Sequence, residues 1–407
     1  MTLDDALGLD AVDPLAHCRD RFSLPDRLIY LDGNSLGALP RATGAAIAEV
    51  VEGQWGEQLI TSWNRHGWID APATLGAKLA PLLGAAAHEV LVCDSTSVNL
   101  FKLLAAVLAA RPGRRIILSE RGNFPTDLYI AEGVARMLPG TELRTVERAE
   151  IVAALDEQVA VLMLTHVDYR SGERHDMAAL SAAAREAGAL SLWDLSHSAG
   201  AIEFSLNDCG VDLAVGCGYK YLNGGPGAPA FLYVAAALQS QLHAPLTGWM
   251  GHDAPFAFDG DYRPAPGIAR FLVGTPPIIA MAALAAGLAT FDGVTMRQVE
   301  AKAASLTDTF IAGVQARCPS LELASPRETA QRGSHVSFRH PQAYAVMQAL
   351  IAGGVIGDVR MPDLIRFGFA PLYNRHEDAF GAAEILGTII DGNLWDDPRY
   401  LARAKVI

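Results

Sequence analysis

The sequence predicts an α/β fold, with a mostly parallel central sheet sandwiched by helices and a smaller α+β domain at the C-terminal end. Between residues 98 and 234, apolar stretches of strand length alternate with longer stretches in which apolar residues recur at helical spacing. This β-α-β rhythm is typical of a parallel sheet covered by helices on both faces. From residue 276 onward, long helical stretches come first and short strands follow, which is typical of an α+β unit.

The elements of the first part have clear sequence boundaries. The helix at 98–110 is apolar with helical spacing and stops at Arg-Pro-Gly. The run VAVLMLTHV at 159–167 is continuously apolar, as expected for a strand buried on both faces. The full set is strands at 114–119, 159–167, 190–194, 211–215 and 230–234, and helices at 98–110, 126–137 and 177–187.

The C-terminal part contains predicted helices at 276–291, 296–317, 342–352 and 377–390, with short strands at 336–339 and 364–368. The first sixty or so residues contain no clear core strand. We therefore expect an N-terminal arm at 1–60 that packs with the small domain, a large domain at 61–275 and a small domain at 276–407.

Composition excludes several classes of protein. The 407 residues carry 45 acidic and 32 basic side chains, and this net charge of −13 disfavours nucleic acid as a partner. No apolar run reaches the roughly 18 residues of a membrane span, and the first ten residues do not resemble a signal peptide. The five cysteines are scattered without a CxxC pair, which favours a reducing cytoplasm over a disulfide framework.

Asp194 ends the predicted strand at 190–194, and ligands bind beyond the carboxyl ends of strands in sheets of this kind. His197 follows three residues later within WDLSHSAG. Taken alone, the aspartate would more often be a helix cap, and the histidine would more often be structural.

Lys220 follows the strand at 211–215 and stands between Tyr219 and Tyr221, before the glycine-rich sequence GGPG. Most lysines are solvated, but this apolar surround favours an amine of depressed pKa that can form a Schiff base. An aspartate at a strand end, with a lysine 26 residues later, is the arrangement of fold-type-I pyridoxal-phosphate enzymes. In them the aspartate pairs with the pyridine nitrogen, and the lysine binds the cofactor.

Two further segments precede predicted helices. Thr96 and Ser97 lie in DSTSVN, at a helix start whose unpaired backbone amides would bind phosphate readily. The same residue types also serve as ordinary helix caps, which are individually more common. Phe124, within NFPTD, would stack on a cofactor ring or else be the buried aromatic residue of a turn.

The chain resembles the kynureninases, class V members of the fold-type-I family, through segments that occur in the family's order and cover nearly the whole chain. They are GNSLG at 33–37, TSVNL at 96–100, NFPTD at 123–127, HVDYRSG at 166–172, WDLSHSAG at 193–200, GYKYLNGGPG at 218–227, GW at 248–249, GTPP at 274–277 and RFGFAPLYN at 366–374. No single segment is decisive, whereas the ordered set is highly specific.

The resemblance implies hydrolysis of L-kynurenine, or of 3-hydroxykynurenine, to the corresponding anthranilate and L-alanine in tryptophan catabolism. It also implies pyridoxal 5'-phosphate as the cofactor and a homodimer with active sites at the subunit interface. The implied cofactor-binding residues are Thr96, Ser97, Phe124, Pro125, Thr126, Asp127, Thr165, Asp194, His197, Tyr219, Lys220, Trp249 and Thr275.

Four of these residues have further implied roles. Lys220 and Asp194 would be catalytic, with Tyr219 as a candidate proton carrier, and Thr275 would reach the cofactor of the neighbouring subunit. The implied substrate-binding residues are Ser35, Arg366 and His66. Arg366 suits the α-carboxylate, because a guanidinium matches a carboxylate with two parallel bonds.

The sequence departs from the family at Asp168, where kynureninases usually carry asparagine. The added charge would either perturb the cofactor or face solvent. Alternatives also remain open. GNSLG fits the G-x-S-x-G of serine hydrolases, although Pro40 delays the following helix. A class V aminotransferase is a further alternative, as is a cysteine desulfurase, for which Cys318 is the only candidate nucleophile in the C-terminal part.

Overall fold

The computed structural model describes residues 2–258 and 260–403. The helices are α1 (Leu3–Ala11), α2 (Thr43–Ala48), α3 (Ser62–Arg65), α4 (Ala71–Leu79), α5 (Thr96–Ala110), α6 (Pro125–Met137), α7 (Met177–Glu186), α8 (Ala236–Gln239), α9 (Ile278–Ala289), α10 (Met296–Arg317), α11 (Ala343–Ala352), α12 (His376–Asp391) and α13 (Pro398–Leu401). The strands are β1 (Phe22–Ser23), β2 (Ile29–Tyr30), β3 (Leu39–Pro40), β4 (Val90–Val92), β5 (Ile116–Glu120), β6 (Glu142–Val146), β7 (Val159–Thr165), β8 (Leu190–Asp194), β9 (Leu213–Gly216), β10 (Phe231–Val234), β11 (Glu322–Leu323), β12 (His335–Arg339), β13 (Val355–Ile356), β14 (Asp358–Arg360) and β15 (Leu364–Gly368).

The main sheet has seven strands in the order β4-β10-β9-β8-β7-β5-β6. The five strands from β9 to β6 run parallel, whereas β10 is antiparallel to both β9 and β4. Every residue of β7 is buried, which explains its continuously apolar sequence. The prediction of a mostly parallel sheet between helices is therefore confirmed.

The C-terminal part forms a second, antiparallel sheet in the order β11-β12-β15-β14. Its core contains Phe310 of α10 against Phe367 of β15, with ring centroids 4.6 Å apart, and Phe338 of β12 on the same cluster. Apolar side chains of α11 and α12 complete this core. The expected α+β arrangement is present.

The N-terminal segment contacts both sheets. β2 pairs in parallel with β13, and the amide of Gly368 donates to the carbonyl of Leu31 over 2.7 Å, beside the C-terminal sheet. Leu15 and Phe22 instead pack in the core on one face of the main sheet, where Met281 of α9 also lies. The domain boundaries at residues 60 and 275 stay predictions.

None of the helices in the described ranges is both long and apolar enough to cross a membrane.

Candidate functional site

The candidate catalytic residues follow three neighbouring strands of the main sheet. Thr165 is the last residue of β7 and pairs in register with Asp194, the last residue of β8. β9 ends at Gly216, four residues before Lys220. Because parallel strands end at the same edge of the sheet, the topology brings these side chains to one crevice.

Lys220 lies directly beside His197, with Nζ 3.0 Å from Nε2 of the imidazole. Burial, and then the charge of Lys220, lower the pKa of His197 well below its usual value. His197 is therefore neutral, and its Nε2 accepts a hydrogen bond from the lysine amine. Among the residues that the structure describes, Nδ1 of His197 has no partner, so its proton is available to a bound group.

Two buried carboxyl groups interact at the end of β8. Oδ1 of Asp194 accepts hydrogen bonds from the backbone amide and hydroxyl of Ser196, at 2.8 and 2.6 Å. Burial, and then the adjacent charge of Asp194, raise the pKa of Asp127 well above its usual value. Asp127 therefore keeps its proton, and the pair carries one negative charge. A single buried anion of this kind fits a protonated pyridine nitrogen.

A hydrogen-bonded network links the start of α6 to the ends of the neighbouring strands. The hydroxyl of Thr165 donates to Oδ1 of Asn123 and lies 3.4 Å from Oδ2 of Asp127. Asn123 Oδ1 also accepts from the amide of Phe124 at 2.8 Å, and Asn123 Nδ2 donates to the hydroxyl of Ser119 at 3.0 Å. Asn123 thus joins β5, β7 and α6, a role that its position in NFPTD alone does not reveal.

Phe124 precedes α6, and its half-buried ring meets the ring of Tyr169 edge to face, with centroids 5.2 Å apart. Pro125 is the first residue of α6, where its missing amide proton removes no helical hydrogen bond, and Thr126 is the second. Phe124 is thus fixed by Tyr169 just ahead of α6.

The expected phosphate site is the start of α5. Ser95 is its N-cap and accepts from the amide of Val98 over 3.3 Å, so Thr96 and Ser97 occupy the first two helical positions. Lys102 on the same helix is fully buried and donates to Asp94 at 2.7 Å, which neutralises the carboxylate just before the helix. The helix start is therefore left favourable for an anion.

Tyr219 is half-buried, and burial, followed by interaction with Cys217, raises the pKa of its hydroxyl. It therefore stays protonated at neutral pH. The Lys220 amine lies 5.9 Å from the centroid of the Tyr219 ring.

The expected carboxylate-binding residues meet at the C-terminal sheet. Arg366 on β15 is fully buried, and its Nη2 lies 3.2 Å from the hydroxyl of Ser35. Ser35 in turn donates to Oδ2 of Asp358 at 2.8 Å. Asp358 lies opposite Arg366 in the pairing of β14 with β15 and binds its guanidinium through both oxygens.

The GNSLG segment also contacts the lysine-bearing loop. The amide of Gly37 donates to the carbonyl of Tyr219 at 2.8 Å, and a Cβ atom at Gly37 would lie 2.4 Å from the carbonyl oxygen of Lys220. Only glycine fits this approach without displacing the loop. Because α2 begins only at Thr43 and the hydroxyl of Ser35 is bonded to Asp358, the segment lacks the geometry of a hydrolase elbow.

Three of the predicted site residues are not among the groups that contact Lys220 in the described ranges. His66 is exposed at the end of α3, on a cavity of about 430 Å³ that Trp68 and Met281 also line. Trp249 contacts Phe256 edge to face at 5.6 Å, and Thr275 is exposed ahead of α9. Within the described ranges, the structure contains no hydrogen bond or ring contact from these three residues to Lys220 or Arg366.

Asp168 is half-buried, and its carboxylate is bonded within its own loop. Its Oδ1 accepts from the amides of Arg170 and Ser171, at 3.0 and 2.6 Å, and from the Ser171 hydroxyl at 2.8 Å. These contacts close a turn, and they occupy one oxygen of the Asp168 carboxylate. The backbone carbonyl of Asp168 also accepts from Nε2 of His335 at 3.0 Å.

Cys318 does not have the setting of a desulfurase nucleophile. It caps the C-terminal end of α10 and is 1% exposed, and burial raises the pKa of its thiol to about 11. A reactive cysteine is instead accessible and of lowered pKa.

Comparison with known proteins places the whole chain beside one family. The family model described as the kynureninase C-terminal domain matches residues 299–386. A kynureninase of Burkholderia mallei (strain SAVP1) is 52% identical, with 100% of this chain and 99% of that protein covered. A kynureninase of Pseudomonas fluorescens is 50% identical with the same coverage.

The fold is shared more widely. A cysteine desulfurase from Thermococcus onnurineus NA1 superimposes with a TM-score of 0.78 at 20% identity, covering 93% of this chain and 98% of that one. A cysteine desulfurase from Escherichia coli gives a TM-score of 0.74 at 20% identity, covering 94% and 99%. At this identity the likeness concerns the fold alone.

Proposed function

The chain belongs to the kynureninase family, and from this premise we propose that it hydrolyses L-kynurenine to anthranilate and L-alanine with pyridoxal 5'-phosphate as cofactor. The observation that carries the proposal is the crevice itself. A lysine amine, a neutral histidine and a carboxyl pair of single negative charge meet at one edge of the sheet. 3-Hydroxykynurenine is the alternative substrate.

The residues of the crevice fit the cofactor chemically. Asp194 would pair with the protonated ring nitrogen, and Lys220 would hold the cofactor covalently. Phe124 would lie on the ring, and Thr165 would contact it from the end of β7. The phosphate would bind at the start of α5, where Thr96 and Ser97 offer unpaired amides and hydroxyls. When bound, the cofactor acts as an electron sink for the charge that develops at the substrate α-carbon.

The remaining steps depend on proton transfers that this chain can perform. Lys220 would remove the α-proton, and neutral His197 would accept a hydrogen bond from its amine and so orient it. Tyr219, which stays protonated, would donate a proton during cleavage of the Cβ–Cγ bond. Ser35 and Arg366 would bind the α-carboxylate at the other side of the crevice. Water adds to the γ-carbonyl and supplies one oxygen of the new carboxylate, whose carbon and other oxygen come from that carbonyl, while the β-carbon takes up a proton.

We further propose that the enzyme is a cytoplasmic homodimer. An apolar groove of about 580 Å³ is lined by Trp55, Pro226, Pro276 and Ile279. Close by in the chain, Ile60 is 76% exposed. An apolar surface of this extent supports a protein interface. Because Thr275 is exposed next to the groove, a second copy bound there would receive this residue at its own cofactor site.

The proposed reaction is tested by incubating the purified holoenzyme with L-kynurenine and following the fluorescence of anthranilate. Equimolar release of anthranilate and L-alanine is expected. Alanine formed from L-cysteine, without any anthranilate from L-kynurenine, would contradict the proposal and favour a desulfurase.

A further inference from the structure

Arg366 and Asp358 form a neutral pair. Both side chains are fully buried, and Nε of Arg366 donates to Oδ1 of Asp358 at 2.7 Å while Nη2 donates to Oδ2. The positive charge of Arg366 holds the pKa of Asp358 below its usual value despite burial. The carboxylate is therefore ionised, and it cancels the charge that a substrate carboxylate would need.

Arg366 also has few donors left. Its Nε–Nη2 edge is bound to Asp358, Nη1 donates to the carbonyl of Tyr169, and Nη2 lies 3.2 Å from the Ser35 hydroxyl. A guanidinium has five N–H groups, and a bidentate bond to a carboxylate uses two of them. With four of them taken, Arg366 alone does not offer the two-pronged contact expected from the sequence.

Arg360, at the end of β14, supplies the free N–H groups and the net positive charge that the Arg366–Asp358 pair lacks. Its Nη2 lies 2.7 Å from Oδ2 of Asp358, and its Nη1 donates to the carbonyl of Val359 at 3.0 Å. These contacts use two of its five N–H groups within the described residues, which leaves three. Its side chain is 31% exposed, whereas that of Arg366 is 0% exposed.

The charge of Arg360 also reaches the catalytic crevice. It contributes to lowering the pKa of His197, the histidine bonded to Lys220, and that of His335 beside it. The rings of these two histidines lie 5.2 Å apart. The charge of Arg360 therefore acts on both histidines, although more weakly than that of Arg366.

We propose that Arg360 is a second binding residue for the α-carboxylate of the amino-acid substrate, and that Asp358 is the positioning residue that holds Arg360 and Arg366 together. The identity of the substrate rests on the proposed function, whereas the charge balance of the three side chains is independent of it. While the neighbouring Asp32 holds its proton, two arginines and one ionised aspartate carry one net positive charge, and one carboxylate neutralises it. Removing Arg360 leaves the Arg366–Asp358 pair with no net attraction for an anion.

The test compares how the holoenzyme binds L-alanine and L-alaninamide, which differ only in the carboxylate. Binding is followed by the change in cofactor absorbance, so no turnover is required. The wild-type enzyme should prefer L-alanine. Arg360→Gln should lose about 10- to 100-fold of this preference, and Arg360→Lys should restore part of it. With L-kynurenine, KM should rise by the same factor while kcat changes little.

Arg339→Gln is the matched control, because Arg339 is an exposed arginine of the same sheet that binds Glu322 and Asp363 at the surface. It should behave as wild type. Arg360→Met removes the same charge with another side chain, and it replaces Arg360→Gln if that variant does not fold.

An unchanged preference for L-alanine in the charge-removing variant would overturn the role of Arg360. A second outcome is that the wild-type enzyme releases no anthranilate, while substitution of Arg360 still removes the preference for L-alanine. The proposed reaction would then be wrong, and the carboxylate site would stand. Release of anthranilate with an unaltered preference in the variant rejects the carboxylate site alone.

Discussion

Nζ of Lys220 lies 3.0 Å from Nε2 of His197, a histidine that is buried and neutral. The neutral imidazole can therefore accept a hydrogen bond from the lysine amine. A protonated imidazole carries N–H on both ring nitrogens and could not accept this bond. Lys220 and His197 are thus the two side chains on which the proposed transfer of the α-proton depends.

Replacing Lys220 should abolish the reaction. We expect Lys220→Ala to reduce kcat by about 100- to 10,000-fold or more, because the covalent attachment and the proton transfer depend on the same amine. In the wild type, borohydride should reduce the bond between Lys220 and the cofactor and so remove its absorbance. Lys220→Ala should lack this borohydride-sensitive absorbance. Lys78→Ala is the control, since Lys78 forms only a partly exposed ion pair with Asp292. Full activity of Lys220→Ala would reject the site.

The two carboxyl groups at the end of β8 should respond differently to amide substitution. Asp127 already keeps its proton, so Asp127→Asn should retain activity within about tenfold. Asp194→Asn removes the negative charge that would hold the ring nitrogen protonated, and we expect it to lose at least about 100-fold in kcat. The comparison is made with both enzymes saturated with cofactor. Equal losses in the two variants would contradict this division of roles.

The stability of the protein should fall as the pH rises toward neutrality because of Asp32. Burial, and then the charge of Asp358, raise the pKa of Asp32 to about 7 in the folded state, above its value of 3.8 in the unfolded chain. Between these values the folded state binds more protons, so increasing pH favours unfolding, by up to about 4 kcal/mol. Asp32→Asn should therefore be more stable than wild type at pH 8 and similar near pH 4.

The measurement for Asp32 is urea unfolding of the cofactor-free protein across this pH range. Asp26→Asn, at an exposed position, is the control and should leave the pH profile unchanged. A profile for Asp32→Asn that parallels that of the wild type would show that Asp32 is not the responsible group.

The apolar groove beside α9 should be an interface between two copies. We expect Ile279→Arg to shift the wild-type dimer to a monomer in sedimentation equilibrium, because a charge would be buried without a partner. Cofactor affinity should weaken by about tenfold as well, since Thr275 would no longer reach a second subunit. Val152→Arg, at another exposed apolar position, should stay dimeric. A monomeric wild-type protein would refute the interface.

Much of the main sheet was predictable because its strands are covered on both faces, as the continuous apolar sequence of β7 shows. Asp194 and Lys220 were found in the same way, because Asp194 ends such an apolar strand and Lys220 follows another. β6 escaped prediction because its sequence ELRTV at the sheet edge is only partly buried. β4 escaped because it has three residues and pairs with β10, which lies far away in sequence.

The partners of Arg366 could not be derived from the sequence. Asp358 and Arg360 lie on the three-residue strand β14, too short for an alternating pattern to reveal which side chains share a face. Their roles depend on the antiparallel register of β14 with β15, which pairs Asp358 with Arg366. Likewise, nothing local to Gly37 shows that Lys220 lies against it, because 183 residues separate the two in the chain.

The turn at GNSLG has one more consequence. Ser35 is tied to Asp358 on the C-terminal sheet, while Gly37, two residues later, is tied to the loop that carries Lys220. A single residue, Leu36, thus separates the contact on the guanidinium side of the crevice from the contact on the amine side. An insertion between Ser35 and Gly37 would therefore uncouple these two contacts without lengthening a strand of either sheet.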